Sequence, residues 1–252
     1  MTGRLYLVPN TLDFGVAGDA PDLQEVIPLG VIRIASRLTC WVAENAKTTR
    51  AFLKRVDAVQ PLPHPLQSVQ IVELPRPQKG VKSPHPASLA ALLAPALQGQ
   101  DIGLISEAGL PAVADPGAAL VEAAHGLEIA VVALPGPSSL LLALAASGLN
   151  GQSFTFVGYL PVEAGERTVR IRELETLSRR LGQTQLMIET PYRNEALLAA
   201  LLDGLQTGTR LSVSCGLTTP SGWTHSDTVG RWRAAPASMP KDVPAVFSLL
   251  AG

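Results

Sequence analysis

The stretch Ile102–Gly117, IGLISEAGLPAVADPG, decides how this chain folds. Its apolar opening, Ile102–Ile105, reads as a strand of a parallel sheet buried on both faces. The run ends in Ser106, Glu107, Ala108 and Gly109. A loop punctuated by Gly and Pro follows, and a helical pattern opens after Asp115-Pro116-Gly117. Pro116 suits the first turn of that helix and Asp115 suits its N-cap. In open α/β sheets, ligands sit beyond the carboxyl ends of the strands, and a loop of small residues lets backbone N–H groups approach them. The same residues also fit an ordinary strand–loop–helix junction.

Working outward, short apolar runs alternate with helical patterns through the first 150 residues. The runs are Leu5–Val8, Trp41–Glu44, Val69–Leu74, Ile102–Ile105 and Ile129–Leu134. Helical patterns fall near Val31–Leu38, Thr48–Val56, Ala87–Leu97, Ala118–His125 and Ser138–Ala146. Such alternation predicts a parallel sheet covered on both faces. The stretch Pro61–Pro86 is Pro-rich and holds one strand; the rest reads as a loop able to form a lid or rim. Gly148, Asn150 and Gly151 mark a linker, which predicts one domain over 1–149 and a second over 153–252. In the second, strands are expected at Phe154–Tyr159, Leu186–Glu189, Arg210–Cys215, Thr224–Val229 and Ala245–Leu250, with helices at Glu166–Leu181 and Asn194–Leu205. Strands that follow one another closely near the end predict a mixed or antiparallel sheet. The fold class is therefore α/β, with a parallel N-terminal sheet and a mixed C-terminal one.

Hydrophobic residues make up 46% of the chain and charged residues 16%, a composition that favours a packed core over disorder. The net charge of −1 lacks the global basic footprint of a generic nucleic-acid binder, although a local patch can suffice. Cys40 and Cys215 have no metal or disulfide spacing and sit in apolar contexts, as buried thiols do in a reducing cytosol. The N-terminus lacks the layout of a signal peptide and no apolar run approaches a membrane span, so a cytoplasmic protein is expected. His64, His85, His125 and His225 are scattered, and no metal site is expected.

The loop after the first strand, Pro9-Asn10, carries no G-x-G-x-x-G, and no Walker A occurs anywhere. That argues against a dinucleotide site and a P-loop hydrolase. It leaves room for a ligand with a carboxylate and an adenosine but no phosphate. ALPGPSS, at Ala133–Ser139, fixes an abrupt turn after a strand, with Ser138 or Ser139 able to cap the next helix. ENAKTTR, at Glu44–Arg50, groups polar and charged residues at a strand end. It fits a helix N-cap by Asn45 or Thr48, or substrate contact by Lys47 and Arg50. ETPYRN, at Glu189–Asn194, fits an Arg–Glu pair with a packed Tyr192, or a wall of a polar pocket. Glu166–Arg180, with five arginines, fits an exposed helix laced with ion pairs, or a patch facing a polyanion.

These segments together resemble the tetrapyrrole-methylase superfamily of S-adenosylmethionine-dependent enzymes. The narrower resemblance is to the branch that 2′-O-methylates a cytidine ribose in small-subunit ribosomal RNA. The matching segments are LYLVPNT, AENAKTTRAFLKRVD, LISEAGLPAVADPG, VVALPGPSS, ASGLNGQSFTFVGYLP with GER, and IETPYRN, in the family's order and over nearly the whole chain. The resemblance implies two α/β domains, a homodimer and S-adenosylmethionine as cofactor in the cleft between the domains. Carried over by position, it implies cofactor contacts from Pro9, Ser106, Ala108, Gly109, Pro111, Asp115 and Ser138, with Thr190, Pro191 and Arg193 from the second domain. Substrate contacts fall to Lys47, Arg50 and Tyr192. The chain departs from the branch at Glu44-Asn45-Ala46-Lys47, at Glu107 and Leu110, and at Thr190-Pro191-Tyr192-Arg193, which points to a sister group within it.

Methyl transfer from a sulfonium is an in-line displacement, with the acceptor held about 3 Å from the methyl group. A hydroxyl acceptor needs a base, and Glu44 and Glu189 are the candidates by their position at strand ends. A ribosomal RNA ribose, a small molecule such as a tetrapyrrole, and a non-catalytic cofactor-binding role all remain open at this point.

Overall fold

The computed structural model describes residues 2–13, 21–75, 89–235 and 237–252. The chain divides into two compact units, Met1–Ser138 and Ser139–Gly252. Much of the Pro-rich stretch, with Pro77, Pro84, Pro86 and His85, lies outside the described residues.

The first unit runs β1 (Arg4–Leu7), α1 (Leu23–Val26), α2 (Leu29–Arg37), β2 (Cys40–Ala43), α3 (Ala46–Val59), β3 (Gln70–Glu73), α4 (Ala94–Leu97), β4 (Ile102–Ile105), α5 (Ala118–Gly126) and β5 (Ala130–Ala133). Its sheet has the order β3-β2-β4-β1-β5, and every pairing is parallel. The apolar run that opened the sequence reading is the central strand β4, buried along its whole length. Successive side chains of a strand point to opposite faces, and β4 divides accordingly. Ile105 joins Tyr6, Ile27, Val31, Trp41, Phe52 and Leu53 on one face, whereas Ile102 and Leu104 join Leu5, Leu93, Leu120 and Ala124 on the other. Gly103 in this strand has a steric reason. A Cβ there would lie 2.7 Å from the Trp41 ring, whose indole N–H donates to the Leu38 carbonyl.

The second unit runs α6 (Ser139–Ser147), β6 (Phe154–Tyr159), α7 (Ala164–Leu181), β7 (Thr184–Glu189), α8 (Asn194–Gly204), β8 (Arg210–Cys215), β9 (Trp223–Thr228), α9 (Val229–Ala234) and β10 (Ala245–Leu250). The sheet order is β6-β7-β10-β8-β9, with β6 and β7 parallel and the other pairings antiparallel. One face carries Met187, Leu211, Val213, Phe247 and Leu249 against Ile171, Leu174, Leu197, Leu201 and Trp232. On the other face Leu186 and Val246 meet Leu140, Ala143 and Leu144 of α6. The α/β class, the parallel first sheet and the mixed second sheet are as expected from the sequence.

Several elements depart from expectation. In the helical pattern at Ala87–Leu97, whose first two residues lie outside the described residues, a 3-10 turn over Ala90–Leu93 runs into the four-residue α4, in which Pro95 supplies no backbone donor. Asp115 does not cap α5. Gly117 takes the N-cap position with φ of 133° and no side-chain bond, which leaves the Asp115 carboxyl for other work. The short helices α1 and α9 carry too few turns to show a period. Helix α6 packs on the second sheet rather than the first, because β7 and β10 offer it an apolar face.

Helix α7 holds a buried carboxylate. Glu175 accepts hydrogen bonds from the Thr209 hydroxyl and, at 2.8 Å, from the Gln206 N–H, and so ties the loop before β8 to the helix. Of the arginines on α7, Arg170 pairs with Glu173, whereas Arg167 and Arg179 are engaged with backbone carbonyls.

Candidate active site at the strand ends of the first unit

Because all five strands of the first sheet run parallel, the loops after β1, β2, β4 and β5 emerge at one edge. The loop after β1 is fastened to the loop after β4 by Asn10. Its side-chain amide donates to the carbonyls of Ser106 at 3.1 Å and Glu107 at 2.9 Å, and its oxygen accepts from the Thr11 N–H. Its backbone forms an antiparallel bridge with Gly109, whose φ of 65° glycine tolerates without strain. Ala112 and Ala114 also take positive φ in this loop. Such strain in non-glycine residues collects where a loop is fixed for a task. Farther along, Asp13 pairs with Arg55 at 3.0 Å, and Arg55 also binds Thr11 and the Pro21 carbonyl, which holds the loop onto α3.

At the end of β2, Asn45 caps α3 by accepting from the Lys47 and Thr48 N–H groups. Glu44, just before it, accepts at 2.9 Å from the Glu107 N–H. Burial pushes the Glu44 pKa up; that hydrogen bond opposes the rise and the Glu107 charge adds to it. Asp115 completes a group of three carboxyls. Its pKa is raised to about 7, first by burial and then by the negative charges of Glu44 and Glu107. Ser106 is 3% exposed, and its hydroxyl faces Asp115 closely enough to lower that pKa a little without forming a well-made hydrogen bond. Among the described residues none of the three carboxyls is in a salt bridge. Ala108, Pro111 and Pro9 line the same loops, and Ser138 closes the unit after the Pro135-Gly136-Pro137 turn. Lys47 and Arg50 lie exposed on α3, and the Arg50 guanidinium donates to the Ala46 carbonyl.

In the second unit, Glu189 at the end of β7 is buried and pairs with Arg193 at 2.9 Å, while Thr190 donates to it from both its N–H and its hydroxyl. This carboxylate therefore already has several donors. Tyr192 points outward, 72% exposed, so the Arg–Glu pair of the sequence reading is present but its packed tyrosine is not. Asn194 donates to the Val243 carbonyl and anchors the start of α8.

Two features went unseen in the sequence. Glu107 registered there as a departure from a family motif, not as a member of a carboxyl group. The Asp13–Arg55 pair spans 42 residues, and no local spacing signals it.

The family description "Tetrapyrrole (Corrin/Porphyrin) Methylases" matches residues 25–228, most of the chain. The chain belongs to the tetrapyrrole methylase family. Members of this family use S-adenosylmethionine as the methyl donor. Among curated relatives, "Ribosomal RNA small subunit methyltransferase I" of Mesorhizobium japonicum is 42% identical over 114 residues, which is 45% of this chain and 37% of that protein. The protein of the same name from Vibrio cholerae is 39% identical over 109 residues, 43% of this chain and 36% of that protein. The matches thus span little more than a third of these relatives. Two solved structures share the fold end to end. They are the methyltransferase CobJ (TM-score 0.59, 15% identity, 100% of this chain and 95% of that one) and uroporphyrin-III-C-methyltransferase from Thermus thermophilus (TM-score 0.54, 19% identity, 99% and 93%).

The strand-end loops of this tetrapyrrole methylase suit the family's donor. A buried hydroxyl without a partner, a glycine-bearing loop clipped in place and uncompensated carboxyls offer hydrogen bonding, close approach and a welcome for positive charge. When bound, S-adenosylmethionine supplies an activated methyl group, and the protein has only to hold and orient the reactants.

The raised Asp115 pKa has a consequence for stability. In the unfolded chain this carboxyl ionises near its ordinary 3.8, whereas in the fold it holds its proton up to about 7. Its contribution to stability is therefore full below the unfolded value and is lost as pH rises through the folded one. Asp115→Asn should flatten this loss and make the protein more stable than wild type near pH 8, by about 1 kcal/mol after allowance for solvent screening of a half-buried group. Urea titrations from acid to mildly basic pH measure it, and parallel wild-type and variant curves would show that Asp115 ionises normally.

Proposed function

We propose that this chain methylates a ribose 2′-hydroxyl of small-subunit ribosomal RNA, with S-adenosylmethionine as donor. Family membership supports the donor and the chemistry, and the names of the relatives about 40% identical support the RNA. The observation that carries a hydroxyl acceptor is the state of Glu44. It is half-buried, its pKa is raised, and one N–H is its hydrogen-bond donor, so it can take up a proton. Glu189, with its guanidinium and two donors from Thr190, is poorly placed for that role and orders the Thr190–Arg193 turn instead. Ser106, Ala108, Gly109, Pro111 and Asp115 then receive the cofactor, with Pro9 and Ser138 beside them. Lys47, Arg50 and Tyr192 serve the acceptor.

The same reading takes the chain to act as a homodimer in the cytoplasm. Exposed apolar side chains on the second unit, Tyr159, Val162 and Val169 among them, give a dimer surface to cover. Among the described residues no helix is long and apolar enough to cross a membrane.

Purified protein incubated with S-adenosylmethionine and either small-subunit particles or a tetrapyrrole panel tests the assignment. A single new ribose methyl in the RNA is the expected result. Transfer only to a tetrapyrrole would move the acceptor to a small molecule, as the near-neutral charge of −1 would suit. No transfer to either by protein that binds the donor would leave a cofactor-binding role.

A further inference from the structure

Charge on the second unit is sorted by place. Glu163, Glu166, Glu189, Glu195 and Asp242 lie toward the end of the sheet where β7 and β8 finish and β10 begins. At the opposite end Arg179, Arg180, Arg210, Arg231 and Arg233 gather, all of them exposed. Arg210 opens β8 beside Leu250 and Thr228, the last residues of β10 and β9, and its guanidinium donates at 2.9 Å to the Gly148 carbonyl. Arg179, near the end of α7, donates to the Gly252 carbonyl at 2.9 Å and to Gln206 Oε1 at 3.1 Å, and Arg180 follows it. Arg233 on α9 donates to the carbonyls of Leu202 at 2.7 Å and Leu205 at 2.8 Å and to the Thr207 hydroxyl. Arg231 stands on the same helix, 3.7 Å from Asp227. Among the described residues, Asp203 and Asp227 are the accessible carboxyl side chains at this end; Glu175 is buried and already receives Gln206 and Thr209. Helix dipoles account for cations at the ends of α7 and α9, but not for Arg210, which opens a strand.

We propose that this arginine-rich end of the second unit is a docking surface for the phosphate backbone of RNA. The inference rests on the RNA reading above and adds to it where the polyanion is held. A guanidinium has more donors than the bonds to carbonyls use, and its planar fork matches a phosphate. Those bonds hold Arg179, Arg210 and Arg233 in place beforehand, so less side-chain entropy is lost when an anion arrives. Contacts of this kind fix position and supply affinity without reading bases. A local excess of cations also reconciles a net charge of −1 with a polyanionic substrate. Of the arginines on α7 only Arg179 and Arg180 belong to the surface; Arg170 pairs with Glu173 and Arg167 turns back to the Val162 carbonyl.

Binding of the full chain to transcribed small-subunit ribosomal RNA, followed by filter retention over a range of salt, tests it. Arg180 and Arg231 are the residues to change, because neither side chain holds a backbone carbonyl and the fold does not depend on them. Arg180→Glu and Arg231→Glu should each weaken RNA binding by about tenfold at about 0.1 M salt and lower the log–log salt slope by about one. Together the losses should multiply, while S-adenosylhomocysteine binding and the circular dichroism spectrum stay as in wild type. Arg172→Glu, the same charge change in the middle of α7, is the control and should cost little. Equal weakening by Arg172→Glu, or none by the other two, would overturn the surface and leave the RNA reading standing. Weakened binding to whole small-subunit particles but not to naked RNA would give the surface to a protein instead. Wild-type chain that binds S-adenosylhomocysteine but no RNA at low salt would remove the RNA reading and the surface with it.

Discussion

Replacing Gly136 by alanine should weaken S-adenosylhomocysteine binding by at least about tenfold, a loss of roughly 1.4 kcal/mol or more. Gly136 sits in the turn after β5, and its φ lies outside the left-handed region, so backbone strain is not the issue. Space is. A Cβ at this position would fall 2.3 Å from Pro9 Cβ and 2.4 Å from Pro9 Cγ, far inside van der Waals contact. The pyrrolidine ring cannot rotate aside, because its atoms are fixed to the backbone leaving β1. The added methyl must therefore displace the loop after β1. That loop carries Asn10, which clips the Ser106 and Glu107 carbonyls and bridges to Gly109. A shift there reaches the carboxyl cluster and the loop where the cofactor is proposed to lie. Removing the opposing atoms with Pro9→Gly in the same chain should recover much of the binding. Calorimetry on the single and double variants measures both. Undiminished affinity in Gly136→Ala would show that these loops do not shape the cofactor site.

Glu175→Ala should lower the stability of the second unit by about 3 kcal/mol, as the loss of hydrogen bonds to a buried charged acceptor implies. Glu175 is 5% exposed and receives the Thr209 hydroxyl and the Gln206 N–H. Truncation leaves both donors without this acceptor and opens space between α7 and the loop before β8. Glu175→Gln keeps an acceptor oxygen of the same reach and should recover more than half of the loss. Urea unfolding followed by circular dichroism gives the comparison. Equal destabilisation by Ala and Gln would mean that the charge matters rather than the bonds. A loss below about 0.5 kcal/mol would mean that water replaces the carboxylate without cost.

Legibility in the sequence followed the range of the interaction concerned. Ile102–Ile105, Phe154–Tyr159, Arg210–Cys215 and Ala245–Leu250 are strands with the bounds their apolar or alternating runs suggested, because burial of a strand is written in consecutive residues. The cap of α3 was narrowed to Asn45 or Thr48, since an N-cap bond reaches only two or three residues ahead, and the fold uses Asn45. Asp115 misled for the same reason. By spacing it suited a cap, yet the chain turns at Gly117 with a positive φ and the carboxyl points elsewhere. Pro95 shows a local rule acting inside a pattern: the helical run ends at Leu97 as its periodicity suggested, but it is wound as a 3-10 turn ahead of a residue without an N–H.

By itself, then, the sequence determined the α/β class, two sheets of different kinds and the loops at which a ligand could be met. Each of these follows from local period, turn chemistry or strand burial. Tertiary structure alone decided which side chains share a site. Asn10 meets the Glu107 carbonyl across 97 residues, and the Glu107 N–H meets Glu44 across 63. No window of sequence contains both partners, and only strand order β3-β2-β4-β1-β5 sets the ends of β1, β2 and β4 side by side. The raised pKa of Asp115 belongs to the same class, because burial and neighbouring charge are properties of the packed fold and of no residue alone.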